Sequence, residues 1–399
     1  MMLDALTFQL GYNAALVTLG ATMLGFAAGA VGAFLYLRKR ALVSDAISHA
    51  TLPGLVLAFI GMVALGGDGR ALGGLLLGSA GSALVGLWVT NWLTRTTRLS
   101  EDAAIGAVLS VFFGFGIVLL TVVQNMSAGR QAGLEGFLLG STAGMLRSDA
   151  ILIAVGSLVV LLATLYMRRP LLITAFDPGY AAVRGINTHR FDMALMVLVL
   201  GITVVGLKVV GLILIVAMLI IPPVAARFWS ENAVKVVGLS ALFGGLSGYI
   251  GAAASATAPA LPTGPIIVLT SFALFVLSLL LAPGRGLLAM ALRHRRLQKQ
   301  VHIRQGLLAL ARNQAIYEGF TRRLLRRAGM MQADGVPTLE GRKEASQLLH
   351  DEALWQELRR SQTLSELAIR DDGLTRIAEV LTADQIAALD AQLGPKAVS

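Results

Sequence analysis

From residue 14 to residue 282 the chain alternates between long apolar runs and short polar breaks. The runs cover 14–37, 43–64, 72–93, 103–124, 150–167, 193–207, 209–226, 236–254 and 265–282. A bilayer core takes about 20 helical residues to cross, and most of the runs meet that length. The pair 193–207 and 209–226 is broken only by Gly206, Lys208 and Gly211, and reads as a hairpin with one shallow arm. Pro259, Pro262 and Pro265 divide the long uncharged block 236–282 into two. The pattern predicts an all-α polytopic membrane protein of about nine transmembrane helices, within a range of eight to ten.

The pattern changes at Pro283. Residues 1–282 hold 15 basic and 10 acidic groups, whereas 283–399 hold 18 and 13 in less than half the length. The boundary therefore reads as a change of solvent, from lipid to water, and divides the chain into a transmembrane domain, 1–289, and a water-soluble one, 290–399. In the second, 303–328 predicts one or two helices stopped by Gly329. Residues 330–338 predict a strand, an Asp334-Gly335 turn and a short return. A helix over 339–360 follows, and Thr382 with Gln385 makes a capping box for a last one. That order predicts a small α+β, winged-helix-like fold, and 324–360 resembles part of the iron-dependent repressors. Arg322, Arg323, Arg326 and Arg327 could contact phosphates. Next to a membrane, however, basic pairs more often form a solvated face or meet anionic lipid. The tail is expected to be a regulatory or docking domain, with nucleic acid not a partner.

Composition agrees: 56% of the 399 residues are hydrophobic and 14% charged, which excludes a soluble protein. The absence of cysteine excludes disulfides and thiolate metal sites. Residues 1–11 carry Asp4 and no Lys or Arg, so the first span is expected to be retained and not cleaved as a signal peptide. Arg38-Lys39-Arg40, Arg95, Arg98, Arg168, Arg169, Arg184, Arg190, Arg227, Lys235 and Arg285 fall on one side of the expected spans. By the positive-inside rule that side is cytoplasmic. Nine crossings then put the C-terminus inside.

Chemistry enters with 44–54, Ser-Asp-Ala-Ile-Ser-His-Ala-Thr-Leu-Pro-Gly. Asp45 and His49 are four apart and share one helical face. Ionisable groups in a membrane span are costly and usually mark an ion or substrate path. One oxygen and one nitrogen ligand suit zinc, manganese or ferrous iron. Pro53 has no N–H for the His49 carbonyl, which frees a third oxygen. The plainer alternative is Asp45 as an N-cap of the second span; it leaves His49 unexplained. Ser48 and Thr51 read as helix-packing groups. Glu101 and Asp102, after Ser100, read first as acids in a capped first turn. Glu135 is expected in an external loop, solvated or lining an entrance. Pro222 and Pro223 predict a kink that fits a gate. Asp177, with Pro178 at the first helical position, starts a short helix over about 178–184, and Gly185 stops it. His189, on the same loop, reads as a surface residue.

These segments together resemble the membrane permease subunit of bacterial ABC importers for zinc, manganese or iron. The resemblance rests on 44–50 with Pro53-Gly54, on 100–106, on Leu138-Leu139-Gly140-Ser141, on Phe176-Asp177-Pro178 and on 219–223, in the family's order. Ser44 stands where Gly is common. The resemblance implies a second permease subunit, identical or related, a cytoplasmic ATPase pair and an extracytoplasmic metal-binding protein. It places the chain in the bacterial inner membrane, with no permanently bound cofactor and with Mn2+, Zn2+ or Fe2+ as cargo. It also implies that 178–184, with Tyr180, Val183 and Arg184, is the helix that docks on the ATPase. The chain has no phosphate-binding loop with Gly and Lys-Ser/Thr, so ATP hydrolysis is expected elsewhere. A proton-coupled cation transporter, with Asp45 or His49 carrying the proton, and a membrane-bound sensor with the tail as output remain alternatives.

Overall fold

The computed structural model describes residues 12–67, 69, 71–125, 147–207, 210–257, 261–360, 367, 369 and 373–393, with 212–214 and 393 as backbone only. The chain divides into two compact units, Met1–Ala289 and Met290–Ser399. The first holds α1 (Tyr12–Leu37), α2 (Ala41–Ala64), α3 (Leu72–Thr96), α4 (Glu101–Gln124), α5 (Arg147–Tyr166), α6 (Arg168–Phe176), α7 (Pro178–Val183), α8 (Thr188–Gly206), α9 (Leu212–Trp229), α10 (Ala233–Ser255) and α11 (Thr263–Leu281). Each of the nine apolar runs is a helix. Among the described residues eight of these, α1–α5, α8, α10 and α11, are long and apolar enough to cross a membrane. The remaining one, α9, offers the shorter apolar stretch Ile215–Trp229.

The centre of the bundle is α1, which packs on α5, α8, α9 and above all α10. Lipid gives no hydrophobic drive between helices, so close contact must supply the attraction, and small residues permit it. A Cβ on Gly25 would lie 2.1 Å from the Gly244 carbonyl oxygen, and one on Gly29 2.1 Å from that of Ser240. One on Gly248 would lie 2.2 Å from the Ala21 oxygen. Ser240 Oγ donates to the Gly29 carbonyl at 2.6 Å, closing the seam with a buried hydrogen bond. Gly54 and Gly78 bring α2 onto α3 in the same way, since a Cβ on Gly54 would meet the Gly78 oxygen at 2.0 Å. Besides α3, α2 packs on α4, α8 and α9, which places it inside the bundle. By contrast α3, α4 and α11 turn wide apolar faces outward, with Leu77, Trp88, Val111, Val118 and Leu269 exposed.

The second unit is helical: α12 (Leu287–Ala311, which carries the boundary), α13 (Gly319–Arg327), α14 (Leu339–Arg360), a 3-10 turn (Ile377–Glu379) and α15 (Ala383–Leu393). Leu307, Leu325, Met331, Ala345 and Leu348 form one small core, and Leu354, Trp355, Leu358, Ile377, Leu381 and Leu389 another. Gly329, at φ +72°, ends α13 where only glycine is unstrained. The capping box forms: the Thr382 N–H donates to Gln385 Oε1 at 3.0 Å, and the Gln385 N–H to Thr382 Oγ1 at 3.4 Å. The expected wing does not, and the α+β expectation is corrected: no strand occurs among the described residues. The segment closes as a tight loop, with the Gln332 N–H on the Val336 oxygen at 2.8 Å and the Thr338 N–H on the Met330 oxygen at 3.1 Å. It leaves one isolated bridge, Met331 to Pro337. Pro337 has no N–H to extend a ladder, and Thr338 is already turning into α14, where its hydroxyl accepts from the Gly341 N–H.

Candidate metal centre

The α1–α2 connection is only three residues long, and Lys39 takes φ +58° within it. Because α2 begins at Ala41 with Arg40 at the N-cap position, Asp45 lies in the second turn. That overturns the capping explanation for Asp45. Ser48 and Thr51 are fully buried and do pack, but their hydroxyls turn back on their own helix, to Ser44 and Ser48 carbonyls at 2.8 and 2.6 Å. Neither hydroxyl donates to Asp45.

Asp45 Oδ1 lies 3.3 Å from His49 Nε2. The imidazole is 16% exposed and the carboxylate 37%. Phe113 of α4 packs edge-on against the imidazole, with ring centroids 4.6 Å apart, which fixes the ring plane. The other nitrogen, Nδ1, is buried and has no hydrogen-bond partner. Leaving a buried polar group unpaired costs about 1–3 kcal/mol. What results is a carboxylate and an imidazole set side by side, with part of the carboxylate open. Among the described residues no cluster of three His, Asp or Glu that could hold a metal ion forms.

Pro53, one turn beyond His49, stays within α2, and Pro222 and Pro223 lie within α9, which packs on α2. Ser100 caps α4 through the Ala103 N–H at 3.3 Å, so Glu101 and Asp102 are first-turn acids as expected. Glu101 is also 3.1 Å from Arg40. Glu135 lies outside the described residues. At the same end of the bundle Asp177 Oδ1 accepts from the Tyr180 N–H at 2.8 Å, Pro178 opens α7, and Gly185 follows at φ +73°. Ala181 buries this helix, while Val183 is 88% exposed and Tyr180 half-exposed beneath the Arg184 guanidinium. His189 accepts from Arg95 at 2.8 Å.

Sequence reasoning missed Asp192. It lies in the second turn of α8, where it pairs with Arg38 and lies 3.7 Å from Arg40. With Arg40, Glu101, Arg95 and His189 it lines a polar cavity of about 280 Å3. An acid immediately before the apolar run 193–207, at the same end as the basic turn Arg38-Lys39-Arg40, was the available signal.

A bundle of apolar helices around an inward helix that carries an acid–imidazole pair defines a multi-pass membrane permease. The model of the ABC 3 transport family matches residues 12–282, and the chain belongs to that family. It is 40% identical over 310 residues to the manganese transport system membrane protein MntC of Bacillus subtilis, covering 77% of this chain and 70% of the relative. To the zinc transport system membrane protein TroC of Treponema pallidum it is 42% identical over 280 residues, 70% of this chain and 92% of the relative. Among solved structures it is similar to PsaBC from Streptococcus pneumoniae in complex with Fab, with TM-score 0.62 and 30% identity. That match covers 73% of this chain and 98% of the other.

Proposed function

We propose that this permease imports a divalent transition-metal ion, manganese, zinc or iron, and that Asp45 and His49 hold the ion transiently as it passes. The observation that carries this is the His49 imidazole on an apolar helix, with Nε2 3.3 Å from the part-open Asp45 carboxylate and Nδ1 buried without a hydrogen-bond partner. The names of the relatives support manganese and zinc; iron rests on the ligand chemistry alone. Two ligands are too few for any of these ions. A second permease subunit, apposed so that its own pair faces the first, would supply two carboxylates and two imidazoles. An extracytoplasmic binding protein delivers the ion, and a cytoplasmic ATPase pair drives the cycle through α7. The basic end of the bundle faces the cytoplasm of a bacterial cell, with the C-terminal unit on that side.

The test is metal accumulation by a cell that lacks its own importers and carries this permease with its ATPase and binding protein. Radiolabelled manganese or zinc should accumulate. His49→Ala and Asp45→Asn should each reduce uptake at least tenfold at equal membrane abundance, because each halves the ligand set that offsets dehydration of the ion. Near-normal uptake by His49→Ala would remove the ligand role. Uptake that persists without the ATPase would favour a proton-coupled carrier.

A further inference from the structure

Arg38 reaches both flanks of the α7 segment at once. Its guanidinium donates to the carbonyl of Thr174, in α6, three residues before Asp177. It also pairs with Asp192 in the second turn of α8, beyond the segment's other end. The side chain is only 11% exposed and Asp192 22%, so both charges are largely withdrawn from water and depend on one another. Arg40, two residues on, lies 3.7 Å from the same carboxylate and 3.1 Å from Glu101 at the start of α4. It occupies the N-cap position of α2, five residues before Asp45. The backbone between the two arginines is a tight turn, with the Arg40 N–H on the Leu35 oxygen at 3.0 Å.

We infer that Asp192 is a positioning residue that, through Arg38 and Arg40, carries displacement of α7 to the helix bearing Asp45 and His49. The inference rests on the proposed importer and on α7 as its docking helix. An element can transmit movement when its contacts have a defined arrangement that both ends bias. Here the two flanks of α7, the second turn of α8, the start of α4 and the start of α2 meet in one group of charges. The helix α7 packs on α6 and α8, the two elements that Arg38 joins. A push on α7 therefore enters the bundle through those two elements, and the Arg38–Asp192 pair ties both to the start of α2.

The experiment uses the assembled transporter in proteoliposomes, with radiolabelled manganese or zinc and the loaded binding protein. Asp192→Asn keeps the size and an acceptor but removes the charge. The ATPase should still co-purify and hydrolyse ATP at its basal rate, while stimulation by the loaded binding protein and metal uptake both fall at least tenfold. Asp192→Glu should restore both to within about threefold. Arg38→Gln should fall as far as Asp192→Asn, and the double variant no further, because the residues act as one unit. Loss of ATPase binding in Asp192→Asn would make the residue part of the docking surface and overturn the inference. Uptake and stimulation within twofold of wild type, or additive losses in the double variant, would overturn it as well. Should Asp192→Asn fail to insert, Asp192→Glu with Arg38→Lys, which keeps both charges at altered reach, must give partial coupling; full coupling or none overturns the inference. The control is wild type against His49→Ala. If wild type moves no metal, the importer itself falls, and this inference with it; if it does and Asp192 is indifferent, only the inference falls.

Discussion

His49 differs from every other polar group on α2 in having a ring nitrogen that is buried and unmatched. The hydroxyls beside it close their own hydrogen bonds within the helix, at no cost to folding. On the proposed ligand role, that contrast separates a group held for use from groups held for packing. It was half legible beforehand: the i, i+4 spacing put Asp45 and His49 on one face, but a linear sequence does not show that Phe113 fixes the ring. Asp351 is the opposite case. In the second unit, burial raises its pKa from the ordinary 3.8, and this outweighs the lowering by Arg376, His350 and Arg304. A raised carboxyl pKa means that the folded state binds the proton more tightly than the unfolded one. Stability therefore falls as pH rises from 3.8 through the raised folded value, and the cost is fully present above it. Asp351→Asn should raise the unfolding midpoint of the 290–399 unit by a few degrees at pH 7. The gain should vanish below pH 3.8, which thermal scans at both pH values would show. A lower midpoint at pH 7 would mean that the three cations outweigh burial.

Helices were the most legible elements, because a membrane demands about 20 apolar residues and the chain supplies them in discrete runs. The ends fell within a few residues where a cap was written into the sequence, as at Ser100, Asp177 and Thr382. The wing failed because its turn chemistry was present without the ladder donors that a strand needs. Pairing between helices was not legible, since Gly25 and Gly244 lie far apart in the chain and only their contact gives them meaning. Gly244→Leu should force α10 off α1 and cost at least about 3 kcal/mol, the upper range for overpacking, because backbone and not a side chain lies in the way. The readout is a large loss of monodisperse protein in detergent, with Gly238→Leu, where a Cβ meets nothing within 4 Å, as the tolerated control. At α7, Tyr180→Glu with Val183→Glu should leave the bundle folded, since both side chains point away from it. Transport and co-purification of the ATPase should fall together. An ATPase that still binds and still responds to the loaded binding protein would place the contact elsewhere.

At the scale of the molecule, charge density changes at Pro283, and the chain divides into two compact units at Ala289–Met290. Each unit holds its own cores, so deleting everything after Arg296 should leave the first unit inserted and folded. If the tail is regulatory, uptake by the truncated protein should depart from wild type at high cytoplasmic metal. If it docks a partner, uptake should fall at every metal level. Rapid degradation of the truncated protein would show one structural unit instead. Heat should act unevenly on the first unit. A contact made by leucines gives up rotamer entropy when it forms and regains it when it opens, so warming loosens it. The α1–α10 contact, made largely by glycine and serine, has almost no rotamers to release. Its attraction is short-range packing plus one buried hydrogen bond, with no entropy waiting on the other side. On warming, amide exchange should spread first through α3, α4 and α11, whose faces are open. The α1–α10 pair should hold as the last ordered remnant of the bundle.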